Sequence, residues 1–201
     1  NIPKAQYGGG LHLTGTALVL LSGGLDSTVA LWWTIGQEYA TISSLTFTYG
    51  SKEEALSLRC SASIAEMAGI GRTEVIELEA LRRIAAGHSA LVKGSGKVPP
   101  GLDRLGRSAT KAVWVPARNL VMISMAVSYA ETLPGDVDII VGFDREEART
   151  FPDNSKRFVN SLNHALKDAV LEKTVMVVAP LIDLDKKEIA ELSSKLGAPV
   201  Q

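Results

Sequence analysis

The stretch that most constrains this chain is an apolar run followed at once by a glycine pair and helix-starting residues. Residues 17–21 (ALVLL) are all apolar, which is typical of a parallel strand covered on both faces. Gly23 and Gly24 carry no side chains, so the backbone can turn sharply and a ligand can approach closely. Asp26 and Ser27 are residue types that begin helices, and an apolar pattern continues after them. The stretch predicts a strand, a glycine turn and a helix whose free N–H groups favour an anion such as a phosphate.

The glycine turn differs from a Walker A phosphate loop. That motif requires a lysine directly after its second glycine, and here Leu25 follows Gly24. What remains is the hexapeptide Ser-Gly-Gly-Leu-Asp-Ser at residues 22–27, directly after the predicted strand. A glycine-rich turn that binds no ligand is the alternative interpretation of the same residues.

Length and composition favour one globular domain. The chain has 201 residues, of which 46% are hydrophobic and 21% charged, enough for a single sizeable core. Its net charge of −1 gives no overall attraction toward nucleic acid or membrane. No run approaches the roughly 18 apolar residues that a membrane-spanning helix needs. The single cysteine, Cys60, excludes an internal disulfide or a cysteine zinc cluster within these residues and fits a reducing cytoplasm, where we expect the protein to act.

Strand and helix patterns alternate along the chain. Further strands are predicted at residues 41–49, 73–78, 137–141 and 175–179, with helical patterns in the intervals. This order predicts an α/β fold with a doubly wound, mainly parallel five-stranded sheet and helices on both faces. Ligands of such sheets bind beyond the carboxyl ends of the strands. The segments that should gather at that edge are residues 22–27, 49–52, 142–153 and 180–186.

Three regions fall outside the regular pattern. Residues 1–15 are glycine-rich without periodicity, and we interpret them as a flexible leader or a tag remnant ahead of a single domain at 16–201. Residues 87–112 are rich in Gly, Pro, Ser and basic side chains, and such a long loop is typical of a functional or mobile segment. Residues 197–201 look like the exit from a helix, so we expect the natural protein to continue beyond them.

The hexapeptide at residues 22–27 resembles the pyrophosphate loop (PP-loop) of the N-type ATP pyrophosphatases. Four later elements narrow the resemblance, and they lie at residues 115–119 (VPARN), 141–144 (VGFD), 151–153 (FPD) and 180–189 (PLIDLDKKEI). Taken in this order, the elements resemble the 7-cyano-7-deazaguanine synthase family over nearly the whole chain. The resemblance implies an adenine nucleotide alpha hydrolase-like fold.

The activity implied by the resemblance is that of an ATP-dependent ligase. It converts 7-carboxy-7-deazaguanine and ammonia to 7-cyano-7-deazaguanine through adenylated intermediates. The product is a precursor of the deazaguanine nucleosides of tRNA, queuosine and archaeosine. Two other functions stay open: another adenylating PP-loop enzyme, of the tRNA-thiolation or amidotransferase-synthetase type, and an ATP- or AMP-binding module without catalysis.

The resemblance also implies roles for residues of the loop. Asp26, Ser27 and Lys186 are the candidate catalytic residues, with Asp26 placing Mg²⁺ or orienting the loop and Lys186 stabilising negative charge on the phosphates. The expected ATP-binding residues are Leu21, Ser22, Gly23, Gly24, Leu25, Asp26, Ser27, Thr28, Val29, Ala30 and Leu31. The structural alternatives are that Asp26 only caps its helix and that Lys186 is only solvated.

The candidate substrate-binding residues are Arg118, Asn119, Asp144 and Asp153. The Arg118 guanidinium can pair with a carboxylate or phosphate in a bidentate fork. Asp144 and Asp153 are expected to accept hydrogen bonds from the N–H groups of a guanine-like ring. The structural alternatives are that Arg118 and Asn119 only cap the helix that begins there and that Asp153 is only a turn residue after Pro152.

The cofactors implied by the resemblance are ATP and Mg²⁺, and the implied assembly is a homodimer without nucleic-acid or membrane partners. The family also carries a four-cysteine zinc site downstream of the Gly-x-Pro that Gly197 and Pro199 match. Because those cysteines are not in this chain, we expect no metal ligand set of that kind within it and expect the zinc-binding tail to be missing. Two positions depart from the family pattern: Thr48 stands where Asp is common, and Asn154 where Cys is common.

Overall fold

A computed structural model describes residues 15–95 and 107–199. The predicted leader lies outside this range except for Gly15, as do residues 96–106 of the predicted loop and the last two residues. In chain order the elements are β1 (Thr16–Leu20), α1 (Leu25–Ile35), β2 (Thr41–Thr48), α2 (Glu54–Met67), β3 (Arg72–Glu77), α3 (Glu79–Ala85), α4 (Arg107–Val113), α5 (Arg118–Ala130), β4 (Val137–Ile140), α6 (Arg145–Thr150), a 3₁₀ turn (Pro152–Asn154), α7 (Lys156–Ala169), β5 (Val175–Val178) and α8 (Lys186–Leu196).

The five strands form one parallel sheet in the order β3-β2-β1-β4-β5. In the register of the central strand, Thr16 lies opposite Thr41 of β2 on one side and Val137 of β4 on the other. The winding therefore reverses between β1 and β4. The predicted five-stranded parallel sheet is confirmed, and the reversal defines the crevice at which doubly wound sheets bind ligands.

Alternate side chains of the central strands enter two cores, one on each face of the sheet. Leu18 and Ile139 belong to the core that α5 and α7 cover. Val19 and Ile140 belong to the core that α1, α2 and α8 cover. Because successive residues of a strand point to opposite faces, a strand buried on both sides must be apolar throughout. This requirement explains the apolar run, and the prediction of helices on both faces is confirmed.

Two short helices, α4 and α6, differ from the sequence prediction. Helix α4 occupies the end of the segment predicted as a loop at residues 87–112, and it is attached by hydrogen bonds from the Ala90 nitrogen to the Ala112 carbonyl and from Ser89 Oγ to the Val113 carbonyl. A helix of six or seven residues shows only a weak amphipathic period, and neither of these two was predicted. Among the described residues, no helix has the length and apolar character that crossing a bilayer requires.

Gly142, directly after β4, provides a test of how closely the sheet edge packs on α1. A Cβ at this position would lie 2.8 Å from the Ser27 nitrogen and 2.9 Å from the Asp26 carbonyl carbon. We expect Gly142→Ala to lower the free energy of unfolding by about 1–3 kcal/mol, the usual cost of forcing extra atoms into a packed interior. Urea denaturation measures this change.

Gly71→Ala is the matched control for that substitution. Nothing lies within 4 Å of a Cβ built at Gly71, and its backbone is outside the left-handed region. We expect the control to leave the urea midpoint unchanged or slightly raised, since alanine restricts the unfolded chain. Equal losses in the two variants would show that the contact between β4 and α1 is not the cause.

Candidate functional site

A cavity of about 800 Å³ opens beyond the carboxyl ends of β1, β2 and β4. Its lining comes from the turn after β1, the loop after β2, the starts of α2 and α5, and the segment after β4. The fourth predicted segment, residues 180–186, reaches the same place through Lys186, the first residue of α8, whose Nζ lies 2.7 Å from Asp26 Oδ2. The prediction that four loop segments meet at this edge of the sheet is therefore confirmed.

The glycine turn after β1 is held by its own hydroxyl groups. Ser27 Oγ accepts a hydrogen bond from the Ser22 nitrogen at 3.2 Å and donates to the Gly24 carbonyl at 3.0 Å. Gly23 has a φ of +81°, and a Cβ there would lie 2.6 Å from the Cβ of Cys60. Only glycine therefore lets the turn lie so close to α2. The turn is therefore fixed by contacts within the protein, and it leads directly into the start of α1, the end of a helix that favours an anion.

Lys186 joins three distant segments of the chain. Its Nζ lies 2.7 Å from Oδ2 of both Asp26 and Asp144, and 3.7 Å from Oε1 of Glu147. The lysine is thus ion-paired, not merely solvated. Asp26 is not the N-cap of α1, because that position is Gly24, which has no side chain to accept a capping hydrogen bond. We call Lys186, Asp26, Asp144 and Glu147 the lysine–carboxylate cluster.

The contacts of Asp144 correct the role expected for it. Its side chain has no exposed surface, and Oδ1 caps α6 by accepting hydrogen bonds from the nitrogens of Glu146 and Glu147 at 2.7 and 2.9 Å. Oδ2 is bound to Lys186. Both oxygens are therefore engaged inside the protein and are not offered to a ring in the cavity. Asp144 instead positions Lys186 and the first turn of α6.

Glu147 is a member of the cluster that the sequence analysis missed. It lines the cavity three residues after Asp144, in the segment that was expected at this edge. Its spacing from Asp144 was the available signal, because the third residue of a capped helix lies beside its cap. Acidic residues are common in exposed first turns, however, so the pattern alone could not single it out.

The cluster shifts the pKa values of its members. Burial raises the pKa of Asp26, an effect that Lys186 opposes and Asp144 reinforces. Burial likewise raises the pKa of Glu147, again against the attraction of Lys186. Burial alone would lower the pKa of Lys186, but its bonds to Asp144 and Asp26 outweigh this and raise it. One ammonium shared among three carboxylates cannot fully compensate each of them.

The same carboxylates could also hold a cation. Ligand oxygens of Asp26, Asp144 and Glu147 lie within 4.8 Å of one another. Oδ1 of Asp26 is buried and has no hydrogen-bond partner among the described residues. Carboxylate oxygens are the ligands that Mg²⁺ prefers, so the donor set fits the metal that the sequence analysis had associated with Asp26 alone.

The start of α5 packs against the 3₁₀ turn on the other side of the cavity. The Asn119 nitrogen donates to Asp153 Oδ2 at 3.4 Å, and Asn119 Nδ2 donates to Asn154 Oδ1 at 3.0 Å. Arg118 Nε donates to Asn119 Oδ1 at 3.1 Å. The N-cap of α5 is Ala117, without a side-chain bond, so neither Arg118 nor Asn119 is the cap. Asp153 lies in the turn and accepts a hydrogen bond from the start of α5. This contact agrees in part with the alternative that Asp153 is a turn residue with a structural role.

The start of α5 has a strained backbone, and the carboxylate that contacts it is buried. Ala117 has a φ of +48°, a left-handed conformation that costs a non-glycine residue on the order of 1–3 kcal/mol and that persists mainly at functional sites. Arg118, the next residue, lines the cavity. Burial raises the pKa of Asp153, opposed by the hydrogen bond from Asn119 and the charge of Arg118.

The rest of the cavity lining includes apolar side chains that were not predicted as site residues. They are Phe47, Met122, Ile123 and Phe143. Nothing in their spacing along the sequence distinguishes them from ordinary core residues. The loop after β2 begins beside Thr48, one of the positions that depart from the family pattern. Glu54 holds this loop, because its Oε2 accepts hydrogen bonds from the backbone nitrogens of Tyr49, at 3.0 Å, and Gly50.

Solved structures establish the class of fold. The U34-tRNA thiolase NcsA from Methanococcus maripaludis superposes with a TM-score of 0.53 at 16% identity, covering 95% of this chain and 60% of that one. The NH3-dependent NAD synthetase from Campylobacter jejuni gives 0.50 at 16% identity, covering 92% and 64%. At such identities the similarity shows the fold alone, an α/β fold of the PP-loop type.

Sequence comparison identifies the family within that class. Residues 16–201 match the family model described as Queuosine biosynthesis protein QueC. The 7-cyano-7-deazaguanine synthase of Pyrococcus furiosus is 43% identical over 189 residues, 90% of this chain and 76% of that protein. The synthase of Carboxydothermus hydrogenoformans is 43% identical over 188 residues, covering 92% and 85%. The chain therefore belongs to the QueC family, and the family resemblance is confirmed.

The electrostatics of the cluster predict a pH-dependent effect of Lys186→Met. The substitution leaves Asp26, Asp144 and Glu147 without their shared cation and raises the pKa of Asp26 and Glu147 further. A carboxyl whose pKa is raised by folding lowers stability above that pKa, and the loss disappears as the pH falls through it. We expect the free energy of unfolding to fall by about 2 kcal/mol near pH 8 and by clearly less near pH 5.5.

Lys187→Met is the matched control for this measurement. The Lys187 side chain is 87% exposed, and within the described part of the chain its one ion-pair contact is with Glu191, at 4.0 Å. We expect the free energy of unfolding of Lys187→Met, measured by urea denaturation, to stay close to that of the wild-type protein across the same pH range. A loss in Lys186→Met that did not change with pH would contradict the account of the cluster.

Proposed function

We propose that this chain is an ATP-dependent ligase that converts 7-carboxy-7-deazaguanine and ammonia to 7-cyano-7-deazaguanine. The observation that carries the proposal is the glycine turn after β1, which lines one cavity together with Arg118 and with Asp26, the ion-pair partner of Lys186. Its volume of about 800 Å³ is within the range typical of small-molecule sites. Family membership supports the substrate, and the turn supports the nucleotide.

The first half of the reaction makes a poor electrophile reactive. A carboxylate cannot expel its own oxygen at neutral pH. In our proposal a substrate carboxylate oxygen attacks the α-phosphorus of ATP, pyrophosphate leaves, and an acyl-adenylate forms. Ammonia then attacks the acyl carbon, the bond to AMP breaks, and loss of a proton gives the amide.

The second half repeats the activation on the amide. The amide oxygen attacks the α-phosphorus of a second ATP and pyrophosphate leaves again. Departure of AMP, with loss of the remaining amide protons, leaves the C≡N group. Each of the two carboxylate oxygens thus leaves as part of one AMP, which balances the atoms for one ammonia and two ATP.

The protein contributes mainly position and charge stabilisation to such transfers. We assign the phosphates to residues 22–28, a turn whose backbone is held by the hydroxyls of Ser27 and Thr28, both of which donate to the Gly24 carbonyl. Lys186 would exchange part of its contact with Asp26 for the departing pyrophosphate. Arg118, oriented by Asn119, would pair with the substrate carboxylate or a phosphate.

Mg²⁺ is the cofactor that we propose beside ATP. Asp26 and Glu147 are the residues that would hold it, since Asp26 Oδ1 is buried without a partner in the described region and Glu147 lines the cavity. Bound there, the ion would neutralise negative charge that develops on the phosphate oxygens.

Several features remain proposals about the whole protein. The single cysteine cannot supply the four thiolates of a zinc site, so zinc binding stays a prediction that these residues do not test. We propose a homodimer that acts in the cytoplasm, where ATP is available and a cysteine thiol stays reduced. Free ammonia is proposed as the nitrogen source.

Release of AMP and pyrophosphate tests the proposed reaction. We expect release by the wild-type protein to depend on 7-carboxy-7-deazaguanine, and we expect the nitrile to appear when ammonia is present. Asp26→Asn should lower kcat by about ten- to a hundredfold, because Lys186 loses a charged partner at the phosphates.

Asp168→Asn is the control for that variant. Asp168 lies exposed on α7, outside the cavity lining, and its removal should leave kcat unchanged. Nucleotide binding without AMP release in the wild-type protein would favour the non-catalytic module. Release that requires a different acid or a tRNA would favour another adenylating PP-loop enzyme.

A further inference from the structure

The carbonyl groups at the start of the glycine turn are held by hydroxyls from neighbouring elements. Thr46 of β2 donates through Oγ1 to the Leu21 carbonyl at 2.8 Å, and Ser57 of α2 donates through Oγ to the Ser22 carbonyl. A carbonyl oxygen carries partial negative charge, so one that faced a phosphate would repel it. Both hydroxyls thus hold acceptor groups of a turn that we propose to bind an anion.

The peptide between Leu21 and Ser22 shows what such a contact determines. In a trans peptide the C=O and the N–H point in nearly opposite directions. The Leu21 carbonyl faces Thr46, and the Ser22 N–H of the same peptide faces the other way, where it donates to Ser27 Oγ at 3.2 Å. A hydroxyl that holds the carbonyl therefore also directs the N–H that follows it.

The next peptide, between Ser22 and Gly23, presents an N–H that is not used within the turn. Its carbonyl faces Ser57, so the Gly23 N–H points away from α2. Within the described part of the chain, the Gly23 nitrogen has no hydrogen-bond partner. Ser22, Gly23 and Ser57 all line the cavity. This N–H is therefore a donor that remains for a ligand at the turn.

Glycine at position 23 gives the same peptide a second possible orientation. Gly23 has a φ of +81°. The two common β-turn types differ by a flip of their central peptide, with a φ of about +80° at the third residue in one type and about −90° in the other. Glycine adopts both values readily, whereas other residues favour the negative one. A flip here would replace the N–H of Gly23 by the carbonyl oxygen of Ser22.

We infer that Ser57 is a positioning residue that selects the orientation of the Ser22–Gly23 peptide. Its hydroxyl holds the carbonyl against α2, and the Gly23 N–H is then presented to the phosphates of ATP. The inference rests on the proposed function, because it takes the turn as the nucleotide site, and it adds a residue from outside the turn. Ser57 acts through the peptide, without a contact of its own to the phosphates.

The substitution Ser57→Ala tests the inference. Alanine is the best helix former and Ser57 is only half-buried, so we expect the variant to fold. Without the hydroxyl, the flipped peptide becomes accessible and a charge-assisted hydrogen bond to the phosphates is lost. The affinity for ATP in the presence of Mg²⁺, measured by calorimetry, should therefore fall by about tenfold or more.

A second measurement reads the orientation of the peptide directly. In the wild-type protein, ATP should shift the NMR resonance of the Gly23 amide proton downfield, because this proton enters a hydrogen bond with a phosphate oxygen. In Ser57→Ala we expect this shift to be lost or strongly reduced. A role of Ser57 in stability alone would not change this signal.

Two further variants serve as controls. Ser57→Thr keeps a hydroxyl at the same position and should retain the wild-type affinity for ATP and the shift of Gly23. Ser63→Ala makes the same chemical change on α2 at a position outside the cavity lining, and it should bind ATP as the wild-type protein does.

The outcomes separate this inference from the function on which it rests. If the wild-type protein binds ATP and Ser57→Ala binds it equally well, the inference is overturned and the proposed reaction stands. The same holds if Ser57→Thr is as weak as Ser57→Ala, or if the affinity falls while the Gly23 shift persists. A wild-type protein that binds no ATP would remove both. Weaker binding and a lost Gly23 shift in Ser57→Ala, with both restored in Ser57→Thr, support the inference.

Discussion

The ion pairs of Lys186 hold the functional edge of this fold together. They connect residues 160 and 42 positions apart in the chain, since the ammonium lies 2.7 Å from carboxylates after β1 and after β4. Asp144 extends the connection by capping α6 with its other oxygen. Arg145 of that helix in turn bonds to Asp185 and Glu188 in the capping box of α8. The positions of the turn, α6 and the start of α8 thus depend on one another.

A second constraint is the close approach of two backbones where the winding of the sheet reverses. Gly142 leaves room for the first turn of α1, and Gly23 leaves room for α2. Larger residues at either place would push the glycine turn out of the crevice between β1 and β4. The glycines therefore serve the position of the turn as well as its conformation, and the site is built on strand ends that packing fixes.

The parts of the molecule that the sequence predicted well are those that local chemistry determines. The strand, turn and helix at the site could be predicted because burial on both faces demands an apolar run and a left-handed turn demands glycine. The gathering of four loops followed from the parallel order alone. The role of Asp144 could not be predicted, because the same carboxylate can cap a helix or contact a ligand, and only the distance to Lys186 decides between them. Glu147 was missed for the same reason.

The charges of the lysine–carboxylate cluster bear on how a nucleotide could enter. Three carboxylates surround one ammonium, and Arg118 is near enough to influence Glu147. With every group ionised, these residues carry a formal charge of −1 before any phosphate arrives. A triphosphate would add several negative charges in a partly buried place, where repulsion is weakly screened. Binding of the nucleotide therefore has to be coupled to a cation or to protons. The raised pKa values of Asp26 and Glu147 show that the carboxylates already lack full compensation, and a divalent ion arriving with the phosphates would supply it without disturbing Asp144 and its helix cap.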